Sequence, residues 1–243
     1  MNLVNKHVVI TGGTSGIGYQ IVKKLHMQNK VTVLGRCPDK LNQLKSLSGT
    51  INIHQADLAN AADVEKAATA ITEQHKTIDV LINNAAVQYM PAFTSPDFSA
   101  QSIIDEIAIN FTSACSLIYL LLPRLQAADQ AIILNVNSGL ALSPKKSSAV
   151  YCGTKAALNI FSQSLRYQLE QTNTLVLQAF LPLVDTALSG GNSTGKMSAA
   201  TAASHIIRGL ERETPENYIG IVKLMRFLLL TAPFLLKSML KTK

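Results

Sequence analysis

The chain is poor in the residues that build disulfide or metal frameworks. Its three cysteines, Cys37, Cys115 and Cys152, form an odd, widely spaced set. They match neither a disulfide scaffold nor a zinc motif, and they read as free thiols in a reducing compartment. Five histidines (His7, His26, His54, His75 and His205) fall at no metal-ligand spacing, so no metal is expected. Charge is also scarce, at 15% of 243 residues. So little charge predicts apolar surface that is covered by self-association or at a membrane. No basic stripe interleaved with aromatics accompanies the net charge of +7, which argues against nucleic acid as a partner. Beyond Glu216 there is no acidic residue at all, while Lys223, Arg226, Lys237, Lys241 and Lys243 follow. Repeats, low-complexity stretches and dividing linkers are missing. The N-terminus runs directly into a strand-like segment, which predicts no signal peptide and a cytoplasmic location.

What the chain does have is apolar content, 47% of its residues, arranged in short runs that alternate with longer helical patterns. The runs predict strands at His7–Ile10, Val31–Leu34, Ile51–Gln55, Val80–Asn83, Ala131–Val136, Leu175–Phe180 and Tyr218–Val222. Most are continuously apolar, as strands buried on both faces are. Helical patterns cover Gly16–Gln28, Pro38–Leu47, Ala61–His75, Gln101–Leu125, Ala149–Glu170 and Ala199–Glu213. This alternation predicts an α/β fold: a single-domain, Rossmann-type, doubly wound parallel sheet of about seven strands with helices on both faces. The domain is expected over 1–222, with an apolar, basic tail over 223–243. Leu188–Lys196, with three glycines, reads as a mobile loop.

The first strand runs into Thr11-Gly12-Gly13-Thr14-Ser15-Gly16-Ile17-Gly18, and a helix follows at once. A turn without side chains lets backbone approach a pyrophosphate, and the N–H groups at the helix start donate to it. Gly12, Thr14, Ser15, Gly16 and Ile17 are the expected cradle, and Gly18 allows close packing of helix on strand. The second strand ends Leu34-Gly35-Arg36. A carboxylate there would bind the adenosine ribose hydroxyls; a guanidinium instead suits a 2′-phosphate and favours NADP over NAD. Asp57 and Leu58 follow the third strand; Asp57 is placed either to bond the adenine amine or to cap the next helix.

Tyr151 and Lys155 stand four apart on one face of a predicted helix. An ammonium near a phenol stabilises the phenolate, and a tyrosine tuned in this way exchanges a proton with a carbonyl or alcohol oxygen. The fifth strand leads to Ser138, at the strand end that faces a ligand crevice.

With these residues the chain resembles the classical short-chain dehydrogenase/reductases. The matching residues are Thr11-Gly12-(three residues)-Gly16-Ile17-Gly18, Asn83-Asn84-Ala85, Asn110, Ser138 and Tyr151-(three residues)-Lys155, in order and spacing from about Lys6 to Ile221. The resemblance implies roles. Tyr151 is the acid–base residue, Lys155 bonds the nicotinamide ribose and tunes Tyr151, and Ser138 orients the substrate oxygen. Asn110 holds a water linking Lys155 to solvent; the plainer alternative is a buried amide satisfying helix backbone. Asn84, Ala85, Ala86 and Pro182 flank the cofactor, and Val184 and Thr186 bind the carboxamide. The long helices Gln101–Leu125 and Ala149–Glu170 are those that pair subunits in this family, implying a homodimer or homotetramer. Two positions depart from the pattern: Ala86 and Leu183 replace glycines.

The expected reaction is hydride transfer between NADP(H) and a carbonyl or alcohol. Aliphatic segments at Val87–Pro91, Gly139–Leu142 (with Leu140) and Leu183–Ala200 predict a hydrophobic small molecule as substrate. The competing reading is a catalytically silent NADP-binding sensor or scaffold. In the tail, the uncharged run Phe227–Leu236 is half the length needed to span a bilayer and is interrupted by Pro233. The tail therefore either packs on the domain or a partner subunit, or lies at an anionic membrane surface.

Overall fold

The computed structural model describes residues 1–89, 92–190 and 195–241. Met90, Pro91 and Gly191–Thr194, which belong to the expected substrate-pocket segments and mobile loop, lie outside the described residues, as does Lys243.

The expected alternation is realised. The strands are β1 (His7–Thr11), β2 (Lys30–Gly35), β3 (Ile51–Gln55), β4 (Val80–Asn83), β5 (Ala131–Ser138), β6 (Thr174–Leu181), two short strands β7 (Val184–Asp185) and β8 (Met197–Ser198), and β9 (Glu216–Tyr218). The helices are α1 (Gly16–Leu25), α2 (Pro38–Lys45), α3 (Ala61–Gln74), α4 (Ala100–Ile107), α5 (Ser113–Gln126), α6 (Ala149–Gln168), α7 (Ala199–Glu211), α8 (Val222–Thr231) and α9 (Pro233–Lys241). Seven strands form one sheet in the order β3-β2-β1-β4-β5-β6-β9, every pair parallel.

Side chains alternate across a strand, and the core divides accordingly. Val8, Ile10, Val31, Val33, Ile82 and Leu134 pack under α1, α2 and α7. Val9, Leu34, Leu81 and Ile133 pack under α3, α5 and the end of α6. The chain steps outward from β1 through β2 to β3, then returns to place β4 on the other side of β1. That reversal opens a crevice at the carboxyl ends of β1 and β4, where open α/β sheets bind ligands.

Three local features differ from the sequence expectation. The last strand occupies Glu216–Tyr218 instead of Tyr218–Val222. Gly220 takes a φ of +58° and turns the chain, so Val222 starts a helix. The long fourth helix is broken by one wider turn, a π-helix over Ala108–Thr112, a distortion that hydrophobic periodicity does not encode. Met197–Ser198 pairs with Val184–Asp185 in a small second sheet that brackets the expected loop.

The tail forms two short helices that meet at Pro233. Val222 and Leu236 are buried. A side chain placed at Gly139 would strike the Met225 sulfur at 3.1 Å, so α8 lies against the turn that follows β5. One helical run among the described residues, Ala100–Gln126, is long and apolar enough to cross a membrane by length and composition; here its inner face (Leu117, Leu121, Leu125) belongs to the core.

Candidate active site

The groove begins at the turn after β1. Gly12 has a φ of +68°, and a Cβ there would lie 3.0 Å from the Ala85 Cα. Gly16 also has positive φ, and its Cβ would press on the Thr186 methyl. Neither position tolerates a side chain, so backbone lines the crevice at the start of α1, where free N–H groups and the helix dipole favour an anion. At Gly18 a Cβ would fall 2.3 Å from the Gly12 carbonyl oxygen, so this glycine sets how closely α1 packs and does not line the groove itself. Thr11 ties the turn to β4: its hydroxyl accepts from the N–H groups of Asn84 and Ala85, both at 3.0 Å. The Asn84 side-chain amide donates to the Thr11 carbonyl at 2.9 Å.

The groove is lined by Gly12, Thr14, Ser15, Gly16, Ile17, Arg36, Asp57, Leu58, Asn84, Ala85, Ala86 and Thr186, all anticipated from sequence. Val87, Ala187 and Leu188, from segments expected at the substrate pocket, line it as well, together with Leu34, Gly35, Ala56 and Ile109, which carry no motif character as apolar or glycine positions. Pro182 and Val184 stand off this groove, with Val184 buried in β7. Arg36 is exposed at its rim. Asp57 does not cap α3. Asn60 does, accepting from Ala62 N–H, while Asp57 accepts from the Ala59 N–H at 3.0 Å in its own turn.

The second half of the site stands on β5 and α6. Ser138 ends β5, its hydroxyl accepting from the Leu140 N–H at 3.1 Å. The same hydroxyl lies near enough to the Tyr151 phenol to ease its ionisation. Lys155, one turn further along α6, is buried and donates to the Val136 carbonyl at 3.0 Å; its Nζ lies 5.8 Å from the centre of the Tyr151 ring. The three groups expected to converge therefore do so.

Their protonation differs from the sequence expectation. Burial pushes the Tyr151 phenol up to about 12, opposed in part by the Ser138 hydroxyl. Burial pulls Lys155 down to about 8. The lysine's hydrogen bond goes to a strand carbonyl, and the desolvation of the phenol outweighs any help from a nearby cation.

Asn110 sits in the π-turn, with its side chain turned to the loop after β4. Its Oδ1 accepts from the Val87 N–H and its Nδ2 donates to the Val87 carbonyl, each at 2.8 Å, with a longer contact to Thr154 Oγ1. It satisfies the backbone of the loop after β4, not that of a helix. One turn earlier Glu106 accepts from the Tyr89 N–H at 3.2 Å. Beneath the site runs a buried polar ladder with no sequence signature. Asn83 donates to Asn135, Asn135 to Ser162, and Ser162 to the Leu158 carbonyl. Asn137 donates to Gln178, and Gln178 to Asn159. These bonds pin α6 to β4, β5 and β6 and so fix the register of Tyr151 and Lys155. Among the described residues no cluster of His, Cys, Asp or Glu has the geometry of a metal site.

A family model described as short chain dehydrogenase matches residues 6–196. An uncharacterized oxidoreductase, DltE of Bacillus subtilis, is 36% identical over 190 residues, 78% of this chain and 75% of its own length. A short-chain dehydrogenase from Burkholderia cenocepacia, solved in complex with NADP, superposes with a TM-score of 0.88 over 99% of both chains at 22% identity. One from Burkholderia phymatum, solved with NAD, gives 0.85 over 97% of this chain and 96% of that one at 18% identity. The chain belongs to the short-chain dehydrogenase/reductase family and is an oxidoreductase with that family's nicotinamide-binding fold.

Proposed function

We propose that this oxidoreductase reduces the carbonyl of a hydrophobic small molecule with NADPH, Tyr151 acting as the proton donor. The observation that carries the reading is the meeting of the Ser138 hydroxyl, the Tyr151 phenol and the Lys155 ammonium at the carboxyl edge of the sheet, beside a groove floored by backbone. The groove fits a dinucleotide, because Gly12 and Gly16, which leave no room for a side chain, present bare backbone along it at the start of α1. Gly12 to Ile17 would hold that diphosphate, Thr186 the carboxamide end, and Lys155 the ribose next to the nicotinamide. The bound nicotinamide supplies the hydride. Ser138 donates a hydrogen bond to the substrate oxygen and Tyr151 gives it a proton. A phenol held protonated to about 12 is in the form that reduction requires at neutral pH. Asn110 has its side chain committed to Val87, so a water relay from Lys155 would run through its main-chain carbonyl.

The choice of NADP rests on Arg36 at the groove rim with no carboxylate at Leu34 or Gly35. Reduction as the working direction rests on the reduced state of cellular NADP pools. The substrate class rests on aliphatic neighbours of the centre, Leu140 and the Met225 flank of Gly139 among them.

An apolar groove of ≈ 450 Å³ between α4–α5 and α6, with Phe93, Ile107, Phe111, Val150 and Ala157 in its walls, supports pairing of subunits through these helices. We take 1–222 as the catalytic unit and 223–243 as a tail packed on it. The outward side of the tail, with Phe227, Leu230 and Phe234 exposed among basic residues only, supports peripheral contact with an anionic membrane.

The test is NADPH oxidation over a panel of ketones and aldehydes. The native chain consumes NADPH with an apolar carbonyl, and Tyr151→Phe lowers kcat by about 10²–10⁴. Tight NADPH binding without turnover of any carbonyl would instead establish the silent sensor.

A further inference from the structure

Glu106 is a carboxylate with 1% of its surface exposed. Among the described residues no cation pairs with it. A charge so placed costs stability unless it serves something. Its surroundings are specific. It lies on α4, one turn before Asn110, and accepts from the Tyr89 N–H. Asn110 holds Val87, two residues earlier, by both its backbone groups. Gln88 between them donates to Ser148 at 2.7 Å, at the mouth of α6. The segment that carries Ala85, Ala86 and Val87 along the cofactor groove is thus held from α4, the π-turn and α6 together.

Helix α4, which carries Glu106, also packs on α6. The Glu106 charge acts on Tyr151 and on Cys152, the two titratable side chains that feel it from α6. The Lys145 backbone N–H donates to the Cys152 sulfur, and the Lys145 side chain acts on the same thiol. From the loop, Tyr89 presents its backbone N–H and not its phenol.

We propose that Glu106 is a positioning residue for the Tyr151 centre, holding the groove-lining loop at Tyr89 and setting the charge that the phenol meets. The proposal rests on the reading of Tyr151 as proton donor. Burial holds the Glu106 carboxyl up, to about 7, so its charge changes within the working range of an enzyme. An ionised Glu106 opposes phenolate formation, and a neutral one does not. The loop contact survives either state, because a carboxylic acid and a carboxylate both present an oxygen to the Tyr89 N–H.

Three variants separate these roles, with kcat/KM for ketone reduction profiled by brief pH jumps that extend from pH 5 to pH 12.5. Glu106→Gln keeps the acceptor and the shape and removes the charge. Its alkaline limb, reporting loss of the Tyr151 proton, moves to lower pH by roughly half a unit, while the KM for NADPH stays within about twofold. Glu106→Ala removes both roles, so the limb moves and the KM for NADPH rises several-fold. If Glu106→Ala does not fold, the Gln variant carries the test alone. Tyr151→Phe is the control for the underlying reading. An alkaline limb unmoved in Glu106→Gln, with Tyr151→Phe inactive, overturns the proposal for Glu106. Activity that persists in Tyr151→Phe overturns the assignment of the proton donor instead.

Discussion

At the residue scale, the groove separates what a side chain does from what its absence does. Arg36 is exposed and free to meet a phosphate; Gly12 and Gly16 contribute only room. A guanidinium paired with a 2′-phosphate makes charge-assisted, bidentate bonds, which are the strong class. Arg36→Ser should therefore raise the dissociation constant for NADPH by about tenfold, corresponding to roughly 1.4 kcal/mol, and leave that for NADH nearly unchanged. Fluorescence titration with both cofactors checks it, and equal weakening of the two would remove the argument for NADP. The polar residues of the centre were legible because their chemistry is tied to type and spacing. Tyr151, Lys155, Ser138 and the glycines stand where the sequence puts them. Glu106 and the Asn83–Asn135–Ser162 ladder were not legible. A buried acid or amide looks like a surface one until the partner elements close over it, and no spacing rule links positions on β4, β5 and α6.

At the scale of elements, helix α1 is held against β1 by contact between backbones. Gly18→Ala forces a methyl toward the Gly12 carbonyl oxygen, and the turn must move to admit it. Overpacking of this kind costs about 1–3 kcal/mol, and here the displaced atoms belong to the anion cradle. We expect a lower melting temperature together with a KM for NADPH raised more than kcat is lowered; a variant with native melting and native KM would show that the turn is softer than the geometry implies. The six long helices and the first six strands were readable from periodicity, since apolar spacing follows burial directly. The break at Ala108–Thr112 was not. It leaves the apolar stripe almost intact and is fixed by a tertiary bond, Asn110 to Val87. The misplacement of the last strand has a similar cause. Tyr218–Val222 is apolar enough for a strand, but Gly220 bends the chain before the pattern ends.

At the scale of the whole molecule, titration at opposite ends of the sheet works in opposite directions. At the amino end the rings of His7 and His75 lie tilted against each other with centroids 4.1 Å apart, and the His75 Nε2 is buried without a hydrogen-bond partner. Burial, with His7 and Lys30 nearby, lowers His75 from 6.5 to about 4. The folded state then binds fewer protons than the unfolded one between those values. Its contribution to stability is complete above pH 6.5 and is lost as pH falls toward 4. Glu106, with its pKa raised to about 7, behaves oppositely, favouring the fold at low pH and losing that contribution as pH rises. The clean measurement is a comparison of variants. The loss of melting temperature between pH 6.5 and 4.5 should be smaller in His75→Asn than in the native chain, and an identical loss would remove His75 from the account.

The same scale governs the tail. Flotation with vesicles containing phosphatidylglycerol should recover the full chain at low salt and recover much less of a 1–222 truncation. Equal recovery of both would place the exposed apolar side of the tail against another protein surface.

Finally, α8 rests on Gly139, immediately after Ser138, the residue proposed to meet the substrate oxygen. In the order of synthesis the cradle at Gly12 leaves the ribosome early and Met225 late. The turn at Gly12 and the flank at Met225 thus come from opposite ends of the polypeptide, and either can be altered while the other keeps its sequence. An engineer inherits the same separation: exchanging α8 changes the flank of Gly139 without touching the ladder of amides that keeps Tyr151 in register.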